Sequence, residues 1–476
     1  KELFRGNREL FRGLWIEDRW EFKEYPILLF DFNGVNNKDP EIFESDLRTT
    51  LEDNLSQYRI ELSPKSNKSL DKLFSESIKL LYRNNKEPVV ILVDEYDKPI
   101  LDHLGQGKAE LDIALENRKI LKSFFGVLKE GDIVDIIRFV FVTGVSRFTK
   151  VSIFSEWNNL KDISMDKRYA DFLGYSEDEI IRYFPDYLER LCKDKSFSMD
   201  ECMERVRYWY NGYRFSVESD SQVYNPISFM YAMDQMEFKN YWFRTGTPSF
   251  LINLIRDKGY YIPQIEEIKI EEELFDAFDL DNLPLEAVLY QSGYLSIKGS
   301  IDGTVFLEYP NQEVKSSFTK VLLKSIYDAT GDSFYFAKRL GDALKEERFD
   351  KVKELINGIF SSIPYSVYPK EDEPERIKEY YYHTIMYLSL SLLGYDARTE
   401  LLSSKGRLDM AVIFKDKVYV LEFKVGRGAE EAILQIKQKG YADRFIAEGK
   451  RVILCGISFD EDKREVEELS FLPFSE

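Results

Sequence analysis

The sequence predicts an α/β protein with several domains. Near the start of the chain, short apolar runs rich in β-branched residues alternate with helical stretches, which is typical of a parallel sheet. A mainly helical, aromatic-rich region follows, and a compact pattern of helix, hairpin, helix and strand ends the chain. Its 476 residues suffice for two to four domains of roughly 100 to 200 residues each. We place the domains at residues 1–163, 164–350 and 351–476.

Composition and charge narrow the range of functions. Hydrophobic residues make up 44% of the chain, which is too many for a disordered protein. Three cysteines and two histidines argue against a disulfide framework and a Cys/His zinc site, so a metal would need carboxylate ligands. The formal net charge of −19 repels nucleic acid over most of the surface. Any nucleic-acid site must therefore be local.

The hydropathy of the chain and its first residues indicate the cellular compartment. No apolar run approaches the ~18 residues of a membrane span, and the first seven residues lack signal-peptide character. We therefore expect a cytoplasmic protein without membrane contact. The sequence starts at Lys1 and not at methionine, inside an amphipathic stretch at residues 2–11, which predicts a native N-terminus further upstream.

The individual elements follow from local patterns. In the first domain we predict strands at 26–32, 88–93 and 136–143 and helices at 70–84 and 111–128. Continuous apolar strands of this kind predict a parallel sheet covered on both faces. In the middle region, Ser176 and Glu179 predict a capping box at the start of a helix. In the last domain we predict a helix at 377–393, a hairpin at 407–425, a helix at 430–448 and a strand at 451–459.

The sharpest chemical pattern lies in the C-terminal hairpin. Alternate residues of a strand share a face, so Glu422 and Lys424 lie together while the apolar residues between them face the other way. If the hairpin closes through an even number of loop residues near 415–417, Asp409 falls opposite Glu422 or Lys424, with Cβ atoms about 5 Å apart. An exposed ion pair is the alternative, but the apolar flanking residues predict that both faces are covered.

Two carboxylates beside a lysine suit phosphodiester hydrolysis. Asp409 and Glu422 would hold Mg²⁺ or Mn²⁺ through hard oxygen ligands, and Lys424 would orient a water or steady the phosphate charge. Glu379, on the preceding helix, is a candidate third metal ligand. Gln435, on the following helix, is a candidate contact to the phosphate or the water.

A second acidic pattern follows the strand predicted at 88–93. Asp94 and Glu95 lie at its carboxyl end, where open α/β sheets bind ligands, and together they have the form of a Walker B element. Asp94 would hold Mg²⁺ and Glu95 would polarise the attacking water. Thr143 and Arg147 follow the next strand and would lie at the same edge, as a nucleotide sensor would. An acidic loop after a core strand is the alternative interpretation.

The glycine-rich loop that cradles phosphates in such enzymes is absent. The pattern Gly-x-x-x-x-Gly-Lys-Ser/Thr does not occur. The nearest candidate, residues 105–109, lacks the first glycine and the hydroxyl and follows the wrong strand, so we interpret it as a chance match. Residues 2–15 resemble the segment that follows the P-loop in AAA-ATPase-like proteins, and this resemblance implies a P-loop upstream of Lys1. We therefore expect this chain to bind ATP poorly and a chain extended upstream to bind it well.

The C-terminal motifs resemble the PD-(D/E)XK nuclease superfamily. Glu379 on a helix, Asp409 opening a hairpin, Glu422 to Lys424 closing it and Gln435 on the next helix follow its order. The motif residues resemble still more closely those of the nuclease-like domain of AAA-ATPase-like proteins. The matching segments lie at 381–383, 406–409, 421–424 and 438–442. Leucine precedes Asp409 where the superfamily's name has proline. His383, one turn after Glu379, is equally well explained as a packed helix residue.

The resemblance to AAA-ATPase-like proteins extends over nearly the whole chain. Further matching segments lie at residues 94–97, 154–160, 209–213, 224–226, 241–243 and 309–311. The resemblance implies a P-loop-type parallel sheet domain, a helical middle region and a restriction-endonuclease-like domain. It also implies Mg²⁺ and ATP as cofactors and nucleic acid as partner, for which we favour DNA over RNA, and we consider a homo-oligomer. The aromatic motifs lack interleaved Lys and Arg, so we interpret them as packing anchors.

Two functions compete at this point. The leading hypothesis is an NTPase linked to a Mg²⁺-dependent nuclease, in which the nucleotide state gates cleavage. The alternative is a nucleotide-dependent regulatory or nucleic-acid-binding switch whose nuclease unit no longer cuts. A pure scaffold would leave both carboxylate clusters without a role. The intact Asp409, Glu422 and Lys424 favour the enzyme.

Overall fold

The computed structural model describes residues 1–62, 68–146, 153, 160–242, 249–275, 284–369, 375–403, 406–460 and 463–474. Arg147 and the motif residues 154–159 and 243 lie outside these ranges. The chain forms two compact units: the first comprises residues 1–163, 249–254 and 271–292, and the second comprises the rest. The middle and C-terminal regions fall mostly in the second unit, so the three-domain division stays a prediction. Within the described ranges, no helix combines the length and the apolar content that crossing a membrane requires.

The first unit contains a parallel sheet in the order β1–β2–β3, as predicted. Its strands are β1 (Ile27–Asp31), β2 (Val89–Asp94) and β3 (Ile137–Val142). Its helices are α1 (Pro40–Ser56), α2 (Leu70–Asn85), α3 (Lys98–Leu101), α4 (Lys108–Gly126) and α5 (Gly131–Val134). Every strand and helix predicted for this region is therefore confirmed.

The expectation that both faces of this sheet are covered is wrong for β3. Strands β1 and β2 are largely buried, whereas Phe139 and Phe141 on β3 remain 43% and 37% exposed. Edge position does not explain this difference, since β1 and β3 are both edge strands that pair with β2 alone, but α1 packs against β1. An apolar run therefore predicted the strand correctly but not its burial.

The middle region is mainly helical, as predicted. Its helices are α6 (Glu177–Tyr183), α7 (Pro185–Lys195), α8 (Met199–Tyr210), α9 (Pro226–Gln235), α10 (Ser249–Asp257), α11 (Leu285–Gln291), α12 (Gln312–Tyr327), α13 (Gly331–Glu346) and α14 (Phe349–Ser361). The capping box of Ser176 and Glu179 is confirmed at the start of α6.

A small sheet in the middle region was not predicted. Its strands are β4 (Ile268–Glu271), β5 (Ser296–Ile301) and β6 (Thr304–Glu308), in the order β4–β6–β5. Asp302 and Gly303 connect β5 to β6 with φ angles of 48° and 80°. An Asp-Gly pair with two positive φ angles is the turn that a two-residue hairpin favours, so the sequence did carry the signal.

The C-terminal part forms a mixed five-stranded sheet in the order β11–β10–β9–β8–β7. Its elements are α15 (Glu375–Ser391), β7 (Asp396–Ser403), β8 (Gly406–Ile413), β9 (Lys417–Val425), α16 (Ala429–Lys439), α17 (Asp443–Ala447), β10 (Arg451–Phe459) and β11 (Val466–Pro473). The predicted hairpin and final helix–strand order are confirmed, but β7 and β11 were not predicted. The helix predicted at 430–448 is interrupted at Gly440, which has a φ of 61°.

Strand β9 lies at the centre of this sheet and is buried at every residue. On one face, Ile433 and Ile436 of α16 share a core with Val418 and Val420. The other face meets α15, where the ring of His383 lies 5.4 Å from that of Phe423. Both faces are therefore covered, and any polar side chain on β9 must find its partners inside the protein.

Candidate functional site

The hairpin of β8 and β9 brings the predicted acidic residues together. Pairing runs from Ile413 opposite Val418 to Met410 opposite Leu421, so the four residues 414–417 lie inside the last pair. This even number was predicted, and continuing the register by one step puts Asp409 opposite Glu422. The Asp409 carboxylate accepts a hydrogen bond of 2.8 Å from the backbone N–H of Phe423.

Glu422 is buried, with 1% of its surface exposed. Its Oε1 atom accepts hydrogen bonds from Lys424 Nζ, at 3.3 Å, and from Gln435 Nε2. Among the described residues, its Oε2 atom has no hydrogen-bond partner. Buried carboxylate oxygens are rarely left without a donor, because the lost hydration is costly. The alternative of an exposed ion pair is therefore wrong, and Oε2 is the buried oxygen of the site that is left without a described donor.

The electrostatics of Glu422 reflect this burial. Burial raises the pKa of its carboxyl group to about 8, and the nearby Asp409 carboxylate adds to the shift, while the Lys424 ammonium opposes it. Lys424 is itself buried, with 10% of its side chain exposed. A second cation placed near Glu422 and Asp409 would favour their charged forms.

Gln435 reaches Glu422 because α16 approaches the sheet closely. The register partner of Glu422 on β10 is Gly456. A Cβ atom at that position would lie 2.1 Å from the carbonyl oxygen of Ala429, the first residue of α16. Gly456 therefore permits the approach. This glycine in the middle of a predicted strand was the available signal of close packing, and the sequence interpretation did not use it.

Tyr441 is a further residue of the site to which the sequence gave no role. It is buried, and its hydroxyl oxygen would lie 2.7 Å from a Cβ atom at Gly406, at the start of β8. Burial and the nearby Glu422 carboxylate raise the pKa of the phenol, while a hydrogen bond with Gln435 lowers it. The hydroxyl therefore lies against the amide that holds Glu422.

His383 packs inside the protein, as one of the two interpretations stated. Burial lowers the pKa of its imidazole to about 4, and a hydrogen bond with the Asp409 backbone opposes that shift. Its Nδ1 atom hydrogen-bonds the hydroxyl of Tyr261. A neutral imidazole held in this way supports the position of Asp409.

Glu379 is not gathered with the other acids into a three-ligand group. It is half-buried on α15, one turn before His383. Within the described part of the chain, no three His, Cys, Asp or Glu side chains have the arrangement of a metal site. Two carboxylates still fit Mg²⁺, which usually keeps several waters and takes one or two protein carboxylates. Asp409 and Glu422 would provide such a pair.

The predicted Walker B residues lie at the carboxyl edge of the first sheet. Asp94 is exposed and its Oδ1 accepts a hydrogen bond from the hydroxyl of Thr143, so these two residues meet as predicted. Glu95 is half-buried with a left-handed φ of 54°, a strained conformation for a non-glycine residue. Burial, followed by the charges of Asp97 and Asp94, raises its pKa.

Asp97 holds this edge together and was not singled out from the sequence. It is completely buried and accepts hydrogen bonds from the backbone N–H of Ser146, at 2.6 Å, from the Ser146 hydroxyl and from the N–H of Val145, at 3.3 Å. The hydroxyl of Tyr96 also donates to the Ser146 carbonyl at 2.8 Å. These bonds tie the segment after β2 to the loop after β3 and keep Thr143 beside Asp94.

The first glycine of the pair dismissed as a P-loop, Gly105, has a packing role. Gly105 has a φ of 68°, and a Cβ atom there would lie 2.8 Å from the carbonyl oxygen of Phe250. The residue is therefore a glycine because the chain turns tightly against α10. This contact supports the interpretation of residues 105–109 as a chance match.

Comparison with known proteins identifies the two parts of the chain. Residues 1–154 match the family described as Predicted AAA-ATPase, and residues 377–469 match the PD-(D/E)XK nuclease superfamily. The chain is 36% identical over 472 residues to "Uncharacterized protein in vnfD 5'region" of Azotobacter chroococcum mcd 1, an alignment that covers 98% of this chain and 87% of the relative. No solved structure matches. The chain therefore belongs to the AAA-ATPase-like proteins and carries a C-terminal domain of the PD-(D/E)XK nuclease superfamily.

Proposed function

We propose that the C-terminal site hydrolyses phosphodiester bonds of nucleic acid in a Mg²⁺-dependent reaction, and that the ATPase-like part gates this reaction. One observation carries the proposal. The buried Glu422 has one oxygen bound by two donors and one oxygen without a described partner, next to a second carboxylate from Asp409. A divalent cation would complete this arrangement of an unpartnered oxygen beside a second carboxylate.

Each residue of the C-terminal site has a separate role in this proposal. Asp409 and Glu422 would hold Mg²⁺ or Mn²⁺, which when bound polarises the phosphate and makes a water more acidic. Lys424 places a positive charge where the attacked phosphate gains negative charge. Gln435 fixes the orientation of Glu422 through Oε1, and Tyr441 supports Gln435. Glu379 remains a candidate outer ligand through water.

The net negative charge of the protein repels a nucleic-acid substrate. With a formal net charge of −19, the chain repels polyanions except where cations and a bound metal reverse the field. We propose DNA as the preferred substrate and RNA as the comparison. Binding through phosphates weakens steeply as salt rises, so the assay belongs at low ionic strength.

A cleavage assay tests the proposal. Wild-type protein and Glu422→Ala are incubated with DNA and with RNA in Mg²⁺, in Mn²⁺ and in a chelator. We expect metal-dependent cleavage by the wild type and none by the variant. Equal cleavage by both proteins would assign the activity to a contaminant or to another site.

At the first sheet, we propose that Asp94 holds the Mg²⁺ of a bound nucleotide and that Glu95 polarises the attacking water. The support is the meeting of Asp94 with Thr143 and the raised pKa of Glu95. Arg147 stays a predicted sensor. Calorimetry with Mg·ATP on the full-length protein should give weaker binding for Asp94→Asn than for the wild type. Equal affinities would remove Asp94 from the nucleotide site.

One observation favours a second candidate function, a switch that binds nucleic acid without cutting it. The described residues gather two acids at the C-terminal site and not three, and Glu422 is already held by Lys424 and Gln435. Such a switch would bind labelled DNA in the presence of Mg²⁺, respond to nucleotide and leave the DNA intact. The same cleavage assay, read beside a binding assay, separates the two functions.

A further inference from the structure

The chain between α10 and β4 is held by contacts with two other elements of the second unit. The carbonyl oxygen of Pro263 accepts a hydrogen bond of 3.2 Å from the buried Thr399 hydroxyl on β7. Glu266 forms an ion pair of 2.5 Å with Lys315 on α12, and both side chains are largely buried. Tyr261 lies just before these anchor points, so its place beside the C-terminal sheet is well defined.

Tyr261 contacts two residues of α15. Its ring stacks on that of Tyr380, with the centroids 4.1 Å apart and the ring planes inclined by 25°. Its hydroxyl forms a hydrogen bond with Nδ1 of His383, which is buried. The partner of one imidazole nitrogen fixes both the tautomer and the orientation of the ring. Tyr261 therefore sets how the His383 ring is held.

His383 in turn packs against the strand that carries the acidic residues. Its ring lies 5.4 Å from that of Phe423, on the face of β9 opposite to Glu422. The backbone N–H of Phe423 donates the hydrogen bond of 2.8 Å that holds the Asp409 carboxylate. A continuous series of contacts therefore leads from the Tyr261 hydroxyl, through the histidine and phenylalanine, to one of the two acids of the site.

We propose that Tyr261 is a positioning residue of the C-terminal site, which keeps Asp409 in the orientation for metal binding by holding His383. The inference rests on the proposed function of that site. It adds a residue from outside the nuclease superfamily match at 377–469, so the site depends on the middle region as well. Replacing groups that support metal ligands commonly costs about 10- to 100-fold in metal affinity or activity. Because Tyr261 acts through two other residues, we expect the lower end of this range.

Tyr261→Phe tests the inference, because it removes the hydroxyl and keeps the ring that stacks on Tyr380. The matched control is Tyr382→Phe. Tyr382 directly precedes His383 on α15, and its hydroxyl bonds that of Tyr368 at 3.2 Å. Each variant therefore loses one tyrosine hydroxyl beside α15, but Tyr261→Phe is the one that loses the bond to His383.

Calorimetric titration of the full-length proteins with Mn²⁺ and single-turnover cleavage of DNA at a subsaturating Mn²⁺ concentration measure the effect. We expect Tyr261→Phe to bind Mn²⁺ about 10-fold more weakly and to cleave about 10-fold more slowly than the wild type. Tyr382→Phe should match the wild type in both. A purely structural role of the Tyr261 hydroxyl would lower the free energy of unfolding without changing Mn²⁺ affinity, so urea denaturation accompanies the titration.

The histidine rings provide a spectroscopic signature of the same contact. The sequence contains two histidines, His103 and His383, so NMR of protein labelled with ¹³C-histidine should show two sets of ring signals. His103→Gln assigns them. Tyr261→Phe should shift the His383 ring signals and leave those of His103 in place, because His103 bonds Glu110 and the Asn37 carbonyl instead.

Three results would overturn the inference: wild-type Mn²⁺ affinity in Tyr261→Phe, an equal loss of affinity in Tyr382→Phe, or unchanged His383 ring signals in Tyr261→Phe. Absence of cleavage by the wild type would overturn the proposed function alone, since Mn²⁺ affinity still decides the role of Tyr261. A wild-type protein that binds no Mn²⁺ would overturn both.

Discussion

Asp97 and Glu422 are both buried carboxylates, and they differ in how their oxygens are bonded. Asp97 receives donors on both oxygens, from the loop at Val145 and Ser146. Glu422 receives two donors on Oε1 and, among the described residues, none on Oε2. The difference shows that burial alone does not distinguish a functional carboxylate from a structural one. The distinguishing feature is an oxygen without a described donor, next to a second charged group.

Glu313 is a third buried carboxylate that can be compared with Asp97 and Glu422. It is buried on α12, and its Oε1 accepts from the backbone N–H groups of Tyr241 and Trp242 at 2.6 and 2.9 Å. Its Oε2 also lacks a described partner, and burial raises its pKa. However, only hydrogen-bond donors oppose that shift, whereas around Glu422 the Asp409 carboxylate adds to the shift and the Lys424 ammonium opposes it. Glu313 is therefore a matched control for a buried, half-bonded carboxylate outside the site.

The largest effect is expected from Glu422→Gln. The amide keeps the shape and the Oε1 acceptor but cannot hold Mg²⁺, so cleavage should fall to background. The control Glu313→Gln should cleave at the wild-type rate, because it makes the same change away from the site. Single-turnover cleavage measures both. If the two variants lose activity equally, the effect lies in folding and not in the site.

Lys424→Met should slow cleavage by about 10²-fold and spare metal binding, since it removes one preorganised charge near the phosphate. Lys417 provides the control, because it is also a buried lysine on β9 but bonds Glu347 and the Lys345 carbonyl at 2.7 Å each. Lys417→Met should lower stability and keep the cleavage rate. Wild-type cleavage by Lys424→Met would remove this lysine from the mechanism.

Asp97→Asn should lower the free energy of unfolding by about 2 to 3 kcal/mol, because an amide group would replace a charged acceptor of several hydrogen bonds. Glu422→Gln should cost less, since its open oxygen loses no donor. Urea denaturation of the metal-free proteins compares them. A larger loss for Glu422→Gln than for Asp97→Asn would invert the assignment of structural and functional carboxylates.

The last variant comparison concerns pH. Burial raises the pKa of Glu422 from 4.5 to about 8. Between these values the folded protein keeps a proton that the unfolded chain has lost, so this group's contribution to stability is complete below pH 4.5 and falls as pH rises towards 8. Relative to Glu422→Gln, metal-free wild type should therefore lose stability over this range. A constant difference between the two proteins would mean that Glu422 has an ordinary pKa.

Local patterns in the sequence predicted the framework of the site. The alternation of polar and apolar residues placed Glu422 and Lys424 on one face, and an even loop placed Asp409 opposite, because strand geometry is set by near neighbours. The apolar runs likewise predicted the strands of the first sheet. They did not predict the exposure of Phe139, because burial depends on what else packs against a strand.

Local sequence patterns could not predict contacts between distant parts of the chain. The bonds of Asp97 to Ser146 join segments about 50 residues apart, and nothing near Asp97 distinguishes it from Asp94. The contact of Gln435 with Glu422 depends on Gly456 of β10, because the lack of a side chain there lets α16 approach the sheet. Strands β7 and β11 carry interspersed charges, so their apolar signal was weak.

Proton release on metal binding tests the central claim most directly. Burial raises the pKa of Glu422 well above its usual range, so Mg²⁺ or Mn²⁺ would displace a proton when it binds this carboxyl group at neutral pH. Calorimetric titration in two buffers of different ionisation enthalpy counts the protons released. The account predicts close to one proton per metal for the wild type at pH 7, and neither binding nor release for Glu422→Gln. Equally tight metal binding by Glu422→Gln, or binding without proton release by the wild type, would contradict it.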